Sequence, residues 1–270
     1  MPDVHDLPRI APSGHVVLGS TRPTPQLRRE TPVSRISVLS ADPELAESVP
    51  AADRPRALRA LWSTAVSFPA GTVESTTVPG SPTTFALLVV KGVLTRQTSL
   101  SDRAMIELLL TGDVLPPWPA SAASPRTETR LTALGQVQLA LLDHRFVKAA
   151  AVWPGLMIAL QRRVTDLQHR LAIHGVICQL PRVEQRVLAV LWLLAARTGT
   201  VTAAGTELPL TLTHDSLAQL TGSRRPTVSL AVKRLRAQGY LDRHETGVWL
   251  LPSAPATHVF EDLVANLDEV

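Results

Sequence analysis

Apolar and polar positions change their period several times along this chain, and each change marks an element. From Met1 to about Pro32 there is no period: Pro2, Pro8, Pro12, Pro23, Pro25 and Pro32 interrupt the run, so an irregular arm is expected. Ile36–Leu39 reads as a strand. Asp42-Pro43-Glu44 starts a helical stretch through Leu45, and Arg54–Ala65 follows as a helix with Leu58, Leu61 and Trp62 on one face. From Phe68 to Leu115 the pattern shortens to that of strands. Phe85–Val90, a Lys91-Gly92 turn, Val93–Gln97 and Met105–Leu110 before Thr111-Gly112-Asp113 are joined by a strand from Gln136 to Leu142. Short strands with glycine-containing turns predict a small sandwich or barrel.

Beyond Asp143 the period is helical. His144–Ala151 is a short helix, and Pro154 falls at the start of a long one, Gly155 to about Ile177. Its apolar residues Leu156, Leu160, Val164, Leu167 and Leu171 form a narrow stripe. Such a stripe suits a two-helix seam, or it docks on the protein's own core. Pro181–Arg197, capped by Gly199, is the next helix. Leu208–Leu212 then supplies a short strand.

The most structured local signal is LTHDSLAQLTGSRRPTVSLAVKRLRAQGYLDRHETGVWLL, Leu212 to Leu251. Thr213 is positioned to cap a helix over Asp215–Leu220, and Gly222 allows a tight turn. A second helix carries Pro226 in its first turn and stops at Gly239. Small or apolar Ala218, Val228 and Ala231 permit a steep crossing, so the pair reads as a helix-turn-helix. Tyr240–His244 and Val248–Leu251 flank Glu245-Thr246-Gly247 as a hairpin, which makes the unit a winged helix.

Charge sharpens this picture. The 270-residue chain is 45% hydrophobic with net charge +4, enough for two cored domains. Between Gly222 and Arg243 the sequence has Arg224, Arg225, Lys233, Arg234, Arg236 and Arg243 against Asp242 alone, the footprint of a phosphate-binding face. The last ten residues are instead acidic, and Val259–Asn266 is expected to be a short helix. No apolar run is long enough to span a bilayer. Asp3 and Asp6 precede no apolar signal core, so a cytoplasmic protein without membrane contact is expected. The single Cys178 rules out an intramolecular disulfide. His174 and Cys178 do not make a metal site by themselves, and no cofactor is assigned. The absence of a phosphate loop, paired metal ligands or a nucleophile–base motif argues against an enzyme.

The segment THDSLAQLTGSRRPTVSLAVKRLRAQGYL with its following hairpin resembles the Crp/Fnr family of bacterial transcription regulators. More weakly, the likeness extends over Val33–Leu251. It implies an α+β fold: an N-terminal β-roll of the cyclic-nucleotide-binding, jelly-roll type, a long dimerisation helix and a C-terminal winged helix-turn-helix. The implied boundaries are an arm at 1–32, a sensor roll at 33–152, the dimerisation helix at 153–179, the DNA-binding domain at 180–252 and an acidic tail at 253–270. In the family the long helix pairs two subunits, which points to a homodimer through Leu156, Leu160, Val164, Leu167 and Leu171. Position by position, Arg224, Arg225, Thr227 and Ser229 are implied base readers. Arg225 matches the O6 and N7 of guanine. Thr213, His214 and Lys233 are implied phosphate contacts.

The resemblance also shows departures. Pro226 and Leu230 stand where the best-known members carry Glu and a second Arg, so a different base preference follows. The family's phosphate-binding Gly-Glu pair is replaced by Pro116-Pro117, and the nearest arginine match is Arg126-Thr127-Glu128. Prolines remove N–H donors and Glu128 adds repulsion, so cyclic AMP binding in the usual way is not expected. Trp118 is placed to line a pocket or pack on its own loop. The family's iron–sulfur sensors need more than one cysteine, while haem stays open. The expected partners are double-stranded DNA and a second copy, with an unidentified small-molecule effector and RNA polymerase left open. The alternative reading is a small-molecule sensor in which DNA binding is secondary or lost.

Overall fold

The computed structural model describes residues 16–18, 33–73, 84–101, 103–116, 128–244 and 247–252. Pro117, Trp118, Arg126, Glu245, Thr246 and the tail helix expected at Val259–Asn266 lie outside the described residues. Two compact units are present: one from the described residues of 23–103 and 107–171, the other from those of 1–22, 104–106 and 172–270.

The segment read as an irregular arm contains a strand, β1 (Val16–Leu18). The first unit then runs through β2 (Val33–Ser37), α1 (Val38–Ala41), α2 (Pro43–Glu47), α3 (Arg54–Ala60), β3 (Trp62–Phe68), β4 (Gly71–Val73), β5 (Thr84–Lys91), β6 (Val93–Leu100), β7 (Arg103–Leu110), β8 (Val114–Leu115), β9 (Glu128–Ala133), β10 (Val137–Asp143), α4 (His144–Ala150) and into α5 (Pro154–Ile177). Its strands form an antiparallel sheet of order β2-β3-β10-β5-β8 and a second of order β4-β9-β6-β7.

The alternation of side chains along a strand explains why β5 and β10 are apolar almost throughout. Leu87, Val89, Leu139 and Leu141 turn to an inner core shared with Leu94, Leu109, Leu131 and Ala133 of the other sheet. Ala86, Leu88, Ala140 and Leu142 turn the opposite way, onto a second core built with Val38, Leu45, Leu61, Phe146 and Trp153. A sheet covered on both faces has no polar face to display.

Several expectations change here. Ile36 is in β2, but Val38 and Leu39 are helical and buried. The helix expected over Arg54–Ala65 stops at Ala60, where Leu61 closes it with an N–H bond to the Ala57 carbonyl. Trp62 therefore starts a strand and is 42% exposed, away from buried Leu61. The apolar stripe of α5 is also redirected. Leu156 and Leu160 are buried among Leu39, Phe146 and Trp153, and Val164 packs against that core. Leu167 belongs to the inner core of the roll, and Leu171 is half-buried. These side chains dock on the chain's own cores, the second of the two readings of the stripe.

The second unit holds the end of α5, α6 (Val183–Thr198), β11 (Thr200–Thr202), β12 (Gly205–Leu208), β13 (Leu210–Leu212), α7 (His214–Leu220), α8 (Arg225–Ala237), β14 (Asp242–Arg243) and β15 (Trp249–Leu251). The order β11-β12-β15-β14 makes a small sheet, while β13 pairs in parallel with β1, Val16 opposite Leu210. Within the unit, α8 packs on α6 and α7. No helix among the described residues is long and apolar enough to cross a membrane.

Candidate nucleic-acid interface

The geometry of the helix pair follows from its ends. Thr213 caps α7, its hydroxyl accepting from the Ser216 N–H at 3.1 Å. After α7, the Ser223 N–H reaches back to the Ala218 carbonyl at 2.8 Å while Gly222 adopts φ +60°. After α8, the Tyr240 N–H reaches the Leu235 carbonyl at 3.0 Å with Gly239 at φ +77°. Both are Schellman endings, which satisfy orphan carbonyls through one left-handed residue. Gly222 and Gly239 are thus the two points at which the chain reverses around α8.

Between them α8 is sharply two-sided. Val228, Ala231, Val232 and Leu235 are buried against α6 and α7, and Ala218 of α7 is small where the helices cross. Arg224, Arg225, Pro226, Thr227 and Lys233 are exposed. The cations divide into two groups. Arg234 bonds Glu184 of α6 at 2.8 Å, and Arg236 bonds Asp242 of β14 at 2.8 Å. Burial raises the Glu184 carboxyl, but its hydrogen bonds and Arg234 outweigh this and leave it below its usual range. Asp242 is held low by the Arg243 N–H and by Arg236. Among the described residues Arg224, Arg225 and Lys233 have no ion-pair partner. They form the uncompensated part of the basic face.

The implied phosphate and base contacts are not independent. His214 Nδ1 lies 2.9 Å from the Ser229 hydroxyl, and Ser229 is half-buried. The Thr213 hydroxyl is engaged by its cap and by Ser216 Oγ at 2.8 Å. Two residues not assigned from the sequence complete the surroundings. Trp249 is fully buried, with its indole N–H donating to the Leu212 carbonyl at 3.0 Å. Its ring centroid is 6.3 Å from that of His214, and the Arg243 guanidinium lies 5.0 Å above it. The hairpin's apolar Val248–Leu251 run signalled a buried aromatic, but not which ring it would meet. Burial, then Arg243 and Arg225, hold the His214 pKa below its usual value. Burial and Arg236 lower that of Arg243.

His174 and Cys178 both turn to the Leu220 carbonyl, at 2.6 and 3.6 Å, and so anchor the end of α7. In the first unit, Gly112 presents its carbonyl to Arg163 at 3.2 Å, and Asp113 is paired with Arg170. That segment is where the resemblance places a phosphate cradle.

Comparison with protein families matches residues 185–252 to the Crp-like helix-turn-helix domain. The search of curated proteins finds no match. Among solved structures, a CooA double mutant from Carboxydothermus hydrogenoformans is similar at 16% identity and TM-score 0.59, covering 84% of this chain and 94% of that one. A cyclic nucleotide-binding domain containing protein from Listeria monocytogenes is similar at 15% identity and TM-score 0.60, covering 78% and 97%. A CRP family transcriptional regulator from Thermus thermophilus is similar at 17% identity and TM-score 0.50, covering 74% and 96%. At these identities the structural likeness is one of fold. Residues 185–252 are a Crp-like helix-turn-helix domain, and the chain has the fold of the Crp/Fnr-type transcription regulators.

Proposed function

We propose that the protein is a homodimeric, sequence-specific DNA-binding regulator whose α8 enters the major groove. The observation that carries this is the two-sidedness of α8: a buried face locked on α6 and α7, and an opposite face with Arg224, Arg225 and Thr227 exposed and the arginines unpaired. A rigid helix presenting unneutralised guanidinium groups fits the groove both electrostatically and sterically. In this reading Arg225 reads guanine bidentately, Arg224 and Thr227 contact neighbouring bases, and Ser229 positions His214. Lys233 and His214 touch phosphates and set register. Two copies of α8 lie about 34 Å apart on a roughly palindromic site.

Pairing of the two copies is assigned to α5, the helix of the 153–179 segment, through the face left after Leu156, Leu160 and Leu167 turn inward. Ile158, Arg162, Thr165, His169, Ala172 and Val176 are exposed there and recur at steps of four, three, four, three and four, the spacing of a two-helix seam. The roll at 33–152 is assigned a sensing role that does not use cyclic AMP in the usual way.

Selection of random duplexes on the purified protein, repeated with Arg225→Ala, tests the reading. The expected result is an enriched palindrome that loses its guanine preference in the variant, at a cost of about 1–3 kcal/mol per half-site. Failure to enrich any duplex at low salt would overturn it. A steep fall of affinity with rising salt separates this reading from a pure small-molecule binder.

A further inference from the structure

Between α8 and the β14–β15 hairpin lies a cavity of about 720 Å³. Its lining includes His214, Ser229, Lys233, Arg236, Arg243 and Trp249 beside apolar residues of α8 and the hairpin. Asp242 also faces it, but that carboxylate is already bonded to Arg236. The cations around His214 come from two elements. Helix α8 contributes Arg225 and Lys233, β14 contributes Arg243, and β15 contributes only the neutral Trp249. On its own helix, the next residue is Asp215. The Ser229 hydroxyl holds Nδ1, which leaves Nε2 as the ring nitrogen for a ligand. Arg243 is fixed in place from two sides, by the Trp249 ring beneath it and by Nε donation to the Gly247 carbonyl at 3.2 Å. With Asp242 taken by Arg236, Lys233 and Arg243 are the two cations of the lining without a carboxylate in it.

Resting on the DNA-binding reading above, we propose that this cavity seats a DNA backbone phosphate held by Arg243 and Lys233, with His214 joining as a protonated donor, so that DNA binding takes up a proton. In the free protein partial burial, then the neighbouring Arg243 and Arg225, disfavour the imidazolium. A phosphate beside Nε2 reverses the sign of the local field and favours it. Protonated, the ring donates from Nδ1 to Ser229 and from Nε2 to the phosphate, so neither bond competes with the other. The sign of the coupling follows: affinity rises as pH falls through the bound-state pKa, and levels off below the free-state pKa. Each unit by which binding raises that pKa is worth about tenfold in affinity.

The experiment is anisotropy of the selected duplex with the full chain from pH 8 to pH 6 at fixed ionic strength, with calorimetry in two buffers of different ionisation enthalpy to count protons. The wild type is expected to bind about three- to tenfold tighter at the lower pH and to take up a fraction of a proton. His214→Gln is expected to be level across that range, and Arg243→Gln to lower the salt slope by about one. The calorimetric count on the wild type needs no variant and stands even if a substitution unfolds the domain. Specific binding with no proton uptake, or a His214→Gln variant that keeps the pH slope, overturns the proposal while leaving the regulator reading intact. Absence of any specific duplex instead defeats that reading itself. A mononucleotide or inorganic phosphate that displaces the duplex at micromolar concentration would assign the pocket to a small phosphate-bearing molecule and overturn the DNA assignment.

Discussion

Nη2 of Arg170, on α5, lies 2.5 Å from Oδ1 of Asp113, a carboxylate that is only 2% exposed. The other oxygen of Asp113 accepts the Leu110 N–H at 2.8 Å. Removing Arg170 takes away a charged hydrogen bond from a carboxylate that water reaches poorly, while the Leu110 N–H and the field of Arg163 stay in place. Arg170→Met is therefore expected to cost about 1–3 kcal/mol in urea unfolding. Adding Asp113→Asn should recover most of this loss, because the amide oxygen still serves Leu110. A double variant no more stable than the single would show that the pair is not what makes the site sensitive.

The same pair bears on what the roll can sense. Glu107 is buried nearby, its carboxyl raised by burial and by Asp113 even though Arg96 opposes the shift. Arg96 and Arg170 thus already have carboxylates of their own. Among the described residues, Arg96, Arg163 and Arg170 beside this segment are each paired with a carboxylate, so none is an unopposed cation for a phosphate, and Pro116 offers no N–H. The protein is expected to bind its selected duplex without added nucleotide, and millimolar cyclic AMP should change the dissociation constant by less than about twofold. A larger change would mean that the Gly112-Asp113 segment is not where the ligand is read.

A third expectation concerns the turn between α7 and α8. At Gly222 a Cβ would meet nothing within 4 Å, so Gly222→Ala isolates the strain of a left-handed backbone. The cost is about 1–2 kcal/mol, or a fall in melting temperature of about 2–8 °C. Duplex affinity should fall with it only where the turn is populated in a different form. An unchanged melting temperature would show that the turn relaxes to another geometry.

Residues that punctuate the chain locally were legible. Thr213, Gly222, Pro226 and Gly239 each mark an end whose chemistry is settled within a few positions, and α7 and α8 lie close to where those residues place them. Legibility fails where distant partners decide. Trp62–Phe68 continues an apolar pattern that began in a helix, and only pairing with Val33–Ser37 and with β10 makes it a strand. Val16–Leu18 is extended because Leu210–Leu212 offers an edge 194 positions away. The stripe on α5 was readable as a buried face, but periodicity does not say which surface buries it. The same limit applies to His214: its position was read, but Ser229, Arg243 and Trp249 reach it only through the tertiary fold.

The division of α5 into two faces gives the last prediction. Ile158 is 68% exposed and Val176 64%, whereas Leu160 is 1% exposed on the opposite side. If the exposed face pairs two subunits, Ile158→Glu with Val176→Glu places like charges across the seam and blocks association. Light scattering after gel filtration should then report a folded monomer with weakened duplex binding, since each half-site would be held alone. Leu160→Glu buries a carboxylate among Leu39, Phe146 and Trp153 and should cost more than about 4 kcal/mol, unfolding the roll rather than dissociating it. Dimers that survive the double substitution would move the interface elsewhere. A wild-type monomer at micromolar concentration would remove the dimer from the proposal.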